Sequence, residues 1–173
     1  MIWRRSEQEE SGDYQIRIAR PSDAKGIIHC MQSVMDERIY LVSEYYLWSE
    51  RGEQERIRSP EDLTLVCEQD GTIIGVLTLQ RGMYKKNRHT AQLGIAIMKG
   101  HRHKGLGSRM IVNAIDWART RDIQKINLEV FSSNTGAIET YRKNGFKVEG
   151  IRKKQFLVDG NYVDDVLMST WIG

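Results

Sequence analysis

The run Arg102-His103-Lys104-Gly105-Leu106-Gly107 lies between an apolar segment, Leu93-Gly94-Ile95-Ala96-Ile97-Met98, and a helical pattern from Gly107 to Thr120. Glycines at a strand-to-helix turn leave backbone N–H groups bare at the positive end of the helix dipole, and that geometry binds phosphate. A dinucleotide fingerprint requires G-x-G-x-x-G, but Met110 stands where the third glycine would close the helix against the strand. A P-loop requires G-x-x-x-x-G-K-[ST]; Gly100 and Gly105 have the spacing, yet Leu106 replaces the lysine that contacts the phosphates. The surviving pattern is [RQ]-x-x-G-x-[GA] after a strand and opening a helix. His101 and His103 flank Arg102, but no third ligand of the right type lies near them in sequence, so no metal is expected.

The bulk properties leave room for such a site and exclude several others. With 173 residues, 40% hydrophobic and 28% charged, the chain suffices for one domain with a real core. A balance of 26 Lys+Arg against 23 Asp+Glu is too even to argue for nucleic acid and suits an anionic small molecule. Cys30 falls in a helical pattern and Cys67 in a strand pattern, both read as buried free thiols. No apolar run approaches the ~20 residues of a membrane span. Met1 to Arg5 lacks the apolar region of a signal peptide, so a cytoplasmic protein without membrane association is expected.

The elements that must carry the loop follow from periodicity. Residues 1–12 read as a polar tail and 13–173 as one domain. Tyr14, Ile16 and Ile18 alternate as a first strand, and Pro21-Ser22-Asp23 starts a helix with Ser22 as its expected N-cap. A second helical region is expected from about Glu44 to Arg58, with a break at Gly52. Asp70-Gly71 and Asp159-Gly160 each separate two β-rich runs, 63–69 from 72–80 and 146–158 from 161–171, which marks two hairpins. Thr90 to Met98 reads as the fourth strand, Gly107 to Thr120 as the third helix, Ile126 to Val130 as the fifth strand and Thr135 to Asn144 as a short helix. The expected class is α/β: a mixed, largely antiparallel sheet with a central parallel crossover from fourth strand through third helix to fifth strand.

At this point the chain resembles the GNAT superfamily of acetyl-CoA-dependent N-acetyltransferases. The resemblance rests on the loop together with Asn134-x-x-Ala137-x-x-x-Tyr141-x-x-x-Gly145-Phe146, and it covers the element order from about residue 14 to 171. Leu128-Glu129-Val130-x-x-x-Asn134 with Tyr141 looks most like the ribosomal-protein alanine acetyltransferases, while the C-terminal hairpin looks equally like the small-amine members. The implied fold is that of acyl-CoA N-acyltransferases, and the implied co-substrate is acetyl-CoA.

The resemblance implies roles residue by residue. Backbone N–H groups from His103 through Ser108, including Lys104, Gly105, Leu106 and Gly107, would hold the coenzyme diphosphate, with Arg102 and Lys104 adding positive charge. Ile95, Ala96 and Ile97 match the strand that pairs with the pantetheine arm, as an extended amide chain can add to a strand edge. Asn134 would touch the cofactor, or else act as a helix N-cap. Tyr141 would be the general acid for the leaving thiolate. Glu129, alternating away from Leu128 and Val130, would be the base, directly or through water; Gln92, near where relatives carry a glutamate, cannot be. The acceptor is a small amine or a peptide N-terminus, approached by residues 36–60, 82–89 and 150–162. Two other readings stand beside this one: a non-catalytic acyl-CoA-binding module, and an RNA-associated protein using Arg81, Lys85, Lys86 and Arg88. A homodimer is suggested by fold analogy alone.

Overall fold

The structure is a computed structural model and describes residues 13–173; the tail expected over 1–12 lies outside the described residues. In chain order the elements are β1 (Tyr14–Ile18), α1 (Ala24–Met35), α2 (Glu50–Ile57), β2 (Leu63–Gln69), β3 (Thr72–Arg81), β4 (Thr90–Ile97), α3 (Leu106–Arg119), β5 (Lys125–Phe131), α4 (Thr135–Lys143), β6 (Lys147–Val158) and β7 (Asn161–Trp171). The strands form one seven-stranded sheet in the order β1-β2-β3-β4-β5-β7-β6. β4 and β5 run parallel and every other neighbouring pair is antiparallel, as the crossover requires. At both Asp-Gly turns the two residues have positive φ, 49° and 76° for Asp70 and Gly71 and 48° and 77° for Asp159 and Gly160. That is the backbone of the hairpin turn whose twist matches the strands.

Two helical starts differ from the sequence expectation. α1 begins at Ala24 after a short 3-10 turn over Pro21–Asp23, and Ser22 caps nothing. Asp23 holds the N-cap position, and its carboxylate accepts from the Arg20 N–H at 2.6 Å and from Arg17 at 2.7 Å rather than from α1. α2 is shorter than the expected 44–58 region. Ser49 Oγ accepts from the Gly52 N–H at 3.1 Å and sets the start. Gly52 therefore sits in the first turn, where its N–H has no helical acceptor anyway, and it does not break the helix.

Helices cover both faces of the sheet. Met110, Ile111 and Ala114 of α3 pack with Leu77, Leu79, Leu93, Ile126 and Leu128 in the larger core, which Tyr141 of α4 and Phe146 close. On the opposite face Ile27 and Cys30 of α1 pack on Val66 and Val76. α1 thus sits over β3 and β4, while Glu129 of β5 and Arg152 of β6 stay exposed on that face.

Arg17 clamps β1 to β2, reaching Asp23 and Glu68 each at 2.7 Å. The Arg17 hydrogen bond holds the Asp23 carboxyl below its ordinary value. A depressed carboxylate stabilises the fold above its unfolded pKa of about 3.9, and that stability is lost as pH falls through the folded value. Urea unfolding below about pH 4 should therefore show a steeper acid loss in the parent than in Arg17→Gln. Identical slopes would mean that the clamp carries no linkage.

Candidate active site

β4 and β5 are paired only at their beginnings. The register runs Thr90↔Lys125, Ala91↔Ile126 and Gln92↔Asn127 and then stops, although β4 continues to Ile97 and β5 to Phe131. Each strand keeps its outer partner beyond that point: β4 stays on β3 as far as Gly75↔Ile97, and β5 stays on β7 as far as Phe131↔Asp165. The sheet therefore splits into two diverging halves. Gly82 N–H donates to the Thr90 carbonyl at 3.0 Å and Met98 N–H to the Ile74 carbonyl at 2.8 Å, which fixes the even-numbered residues of β4 as those bonded to β3. By antiparallel alternation Leu93, Ile95 and Ile97 turn their N–H and C=O groups into the gap. A cavity of about 430 Å³ fills it, lined by residues 93–97, by Glu129 and Val130, and by Tyr141.

The glycine loop stands at one end of this gap. Gly100, His103 and Gly105 have φ of 90°, 61° and 73°, so the chain turns repeatedly through the left-handed region. Gly105 then caps α3, and the first helical bond is Arg109 N–H to Gly105 C=O at 3.1 Å. Among the described residues the N–H groups of 103 to 108 donate to no protein acceptor. A Cβ at Gly105 would meet nothing within 4 Å, and one at Gly107 would lie 3.7 Å from Thr140 and 3.8 Å from Ile97. Bare amides, absent side chains and the α3 dipole together make an anion cradle sized for a diphosphate. The open edge of β4 beside it suits an extended amide chain. The residues present therefore fit a coenzyme A molecule.

Tyr141 and Glu129 reach the cavity from opposite faces of the sheet. Tyr141 is 7% exposed and packs tilted on Phe146 with ring centroids 5.8 Å apart. Burial pushes its phenol well above the ordinary value, so it stays protonated at neutral pH. Among the described residues its hydroxyl has no hydrogen-bond partner, and it is not sealed from the cavity it lines. Glu129 alternates to the α1 face, as expected, and lines the cavity there. It also meets Arg152 at 3.3 Å, and Arg152 Nη1 donates to Asp165 at 2.8 Å. Asn134 is the N-cap of α4, its Oδ1 accepting from Ala137 N–H at 3.3 Å, and it lines the cavity as well. Ser108 Oγ accepts from Asn144 at 2.9 Å, tying α3 to α4.

Several residues named from sequence sit differently. Lys104 is outside the cavity wall, its ammonium 5.6 Å from the Tyr14 ring centre. Arg102 lines the cavity but its guanidinium is bound to Glu37. His101 Nδ1 is 2.9 Å from the Tyr14 hydroxyl, which anchors the loop to β1. Residues 82–89 do not line the cavity, and two of the basic residues proposed for RNA, Arg81 and Arg88, both bind Glu61 at 3.3 and 2.6 Å. Sequence reading did not single out Tyr40 and Leu41, which wall the cavity, or Arg152 and Asp165. The signal for Asp165 was faint: the second of two adjacent carboxylates, Asp164 and Asp165, set between Val163 and Val166 on a strand. Cys30 and Cys67 are free and buried, and burial pushes their thiols up to about 12 and about 11.

A split sheet with a free strand edge and a ring of unpaired amides at its mouth defines an acyl-CoA-dependent acyltransferase. The model of the Acetyltransferase (GNAT) family matches residues 30–146. The L-amino acid N-acetyltransferase AaaT of Escherichia coli K12 is 34% identical over 121 residues, which cover 67% of this chain and 73% of that protein. The solved acetyltransferase of GNAT family from Streptococcus pneumoniae superposes with a TM-score of 0.86 at 27% identity, covering 93% of this chain and 100% of that one. A phosphinothricin acetyltransferase from Sinorhizobium meliloti, solved in complex with acetyl-CoA, shares the fold with a TM-score of 0.83 at 17% identity over 92% of this chain and 89% of that one. The chain belongs to the Acetyltransferase (GNAT) family. It is an N-acetyltransferase with acetyl-CoA as its co-substrate.

Arg152 holds an interstrand charge network whose inner member, the Asp165 side chain, is 1% exposed. Arg152→Met should cost about 1–3 kcal/mol in denaturant unfolding, because it leaves a buried carboxylate without its donor. Adding Asp165→Leu to that variant should recover most of the loss; a double variant as unstable as the sum of the singles would refute the pairing.

Proposed function

We propose that this enzyme acetylates a small primary amine by direct attack in a ternary complex, with Tyr141 as general acid and Glu129, or a water that it holds, as base. The carrying observation is the placement of an unbonded, protonated phenol and an exposed carboxylate on opposite faces of one gap in the sheet. Acetyl-CoA supplies a thioester carbonyl as electrophile and a thiolate as leaving group. The residues do the rest. The amides of 103 to 108 take the diphosphate charge, and the free edge of β4 aligns the arm. An N–H turned into the gap, that of Ile97, stabilises the oxyanion. Glu129 accepts the proton lost by the attacking amine, and Tyr141 delivers its own to the departing sulfur. A thiol at about 12 or about 11 is a poor nucleophile, which supports direct attack over an acyl-enzyme on Cys30 or Cys67.

The acceptor enters from the α1 face, past Glu129, Tyr40 and Leu41. The amino-acid acetyltransferase among the relatives supports a small amine over a peptide N-terminus. Two buried reduced thiols fit a cytoplasmic setting, and no described helix is long and apolar enough to cross a membrane.

Two measurements check this. Calorimetry should detect coenzyme A binding, and a panel of amino acids, polyamines and peptides should give amine-dependent thiol release. Binding with no release on any amine would favour a non-catalytic coenzyme-binding module. Tyr141→Phe should lower kcat by about 10²-fold or more while leaving coenzyme affinity and thermal stability near the parent, because the hydroxyl has no hydrogen-bond partner among the described residues. An unchanged kcat removes the general-acid role.

A further inference from the structure

Arg102 opens the glycine motif, beside amides that hold an anion, so its charge reads naturally as a phosphate contact. Its guanidinium is committed in another direction. Nε donates to the Ile97 carbonyl at 2.8 Å, one of the groups that alternation turns into the gap. Nη1 and Nη2 donate to the two oxygens of Glu37 at 2.9 and 2.5 Å. Its flat face lies 4.6 Å from the centre of the Tyr40 ring. Glu37 and Tyr40 belong to the stretch between Met35, the end of α1, and Glu50, the start of α2, which contains no helix or strand. Much of that stretch faces solvent: Val42, Tyr45 and Leu47 are 70%, 67% and 86% exposed. Tyr40 and Leu41 nevertheless form a wall of the cavity. One side chain therefore joins the coenzyme loop, the end of β4 and the acceptor-side wall.

We propose that Arg102 is a positioning residue rather than a phosphate ligand: it locks residues 37–41 across the mouth of the gap, so that capture of the amine depends on order in the coenzyme loop. The proposal rests on the reading of the α1 face as the acceptor's entry. A bidentate guanidinium–carboxylate pair fixes direction as well as distance, which a lysine at the same place would not do. Coenzyme bound to the amides of 103 to 108 holds the backbone from which Arg102 springs, and hence Glu37 and Tyr40. Coupling of this kind is reciprocal between the two ligands, so an amine held against the wall tightens the coenzyme in turn, an effect absent when no amine is present.

Glu37→Gln, Arg102→Gln and the double variant separate the two roles, because a carboxylate at Glu37 does not itself hold a diphosphate. Three readings are taken on the full chain: the Kd for coenzyme A by calorimetry, the amine KM against kcat, and amide hydrogen exchange over residues 36–41. Both single variants should raise the amine KM by about tenfold with a smaller effect on kcat. Both should speed exchange over 36–41, leave the coenzyme Kd within about twofold, and combine without further loss. Arg102→Gln weakening coenzyme A by about tenfold while Glu37→Gln matches the parent would make Arg102 a phosphate ligand and overturn the proposal. Unchanged exchange in Glu37→Gln would overturn it as well, and that variant decides the matter even if Arg102→Gln fails to fold. Calorimetry and exchange need no acceptor, so they read the lock independently of the proposed reaction, whose own failure would show as a parent enzyme that releases no thiol with any amine.

Discussion

Everything in this molecule's chemistry depends on the separation of β4 from β5 after Gln92. Strand edges in a sheet interior are normally saturated by their neighbours, and an unsatisfied buried amide costs about 1–3 kcal/mol. Here the edge is left open, and two consequences follow. The backbone of Leu93, Ile95 and Ile97 is left unpaired by β5, an edge that an extended ligand could join. The sheet also ceases to be a barrier, so that groups on its two faces share one cavity. The opening is tolerated because each strand keeps a full ladder on its other side, β4 with β3 and β5 with β7. The Ile97 carbonyl is already satisfied by Arg102.

The two faces give the two proposed catalytic groups opposite environments. Tyr141 rises from α4 into the main core, where desolvation keeps its proton in place. Glu129 stands exposed on the α1 face, beyond the part that α1 covers, and meets Arg152. A buried neutral acid and a hydrated carboxylate suit the two proton movements of amine acylation, one delivered to sulfur and one removed from nitrogen. Had β5 been displaced in register by one residue, Glu129 would have exchanged faces with Leu128, and this division would be lost.

Local signals in the chain carried a large part of the structure. Both Asp-Gly hairpins, the apolar stripe of α3 and the glycine loop are short-range patterns, and each appears where the residues place it. The departures have specific causes. Ser22 caps nothing because α1 starts two residues later, at Ala24, and the Asp23 carboxylate before it is bound back to Arg17 and the Arg20 N–H. The stretch 44–49 stayed out of α2 because Ser49 captures the Gly52 amide and defines the helix start after it. Arg102 and Lys104, expected to add positive charge at the loop, also find Glu37 and Tyr14, partners far away along the chain and invisible to local reading. Tyr40, in a stretch without regular structure, entered the cavity wall for the same reason.

The amino-acid order by itself determined the periodicities, the turns and the bare-amide loop, because these depend on residues within a few positions of one another. It also set which face of β5 Glu129 occupies, since alternation along a strand is local. Tertiary structure alone decided that β4 and β5 diverge, that the Tyr141 hydroxyl has no partner among the described residues, and that Arg102 crosses to Glu37. Those outcomes arise from competition among partners far apart in the chain, and only the completed packing settles which partner wins.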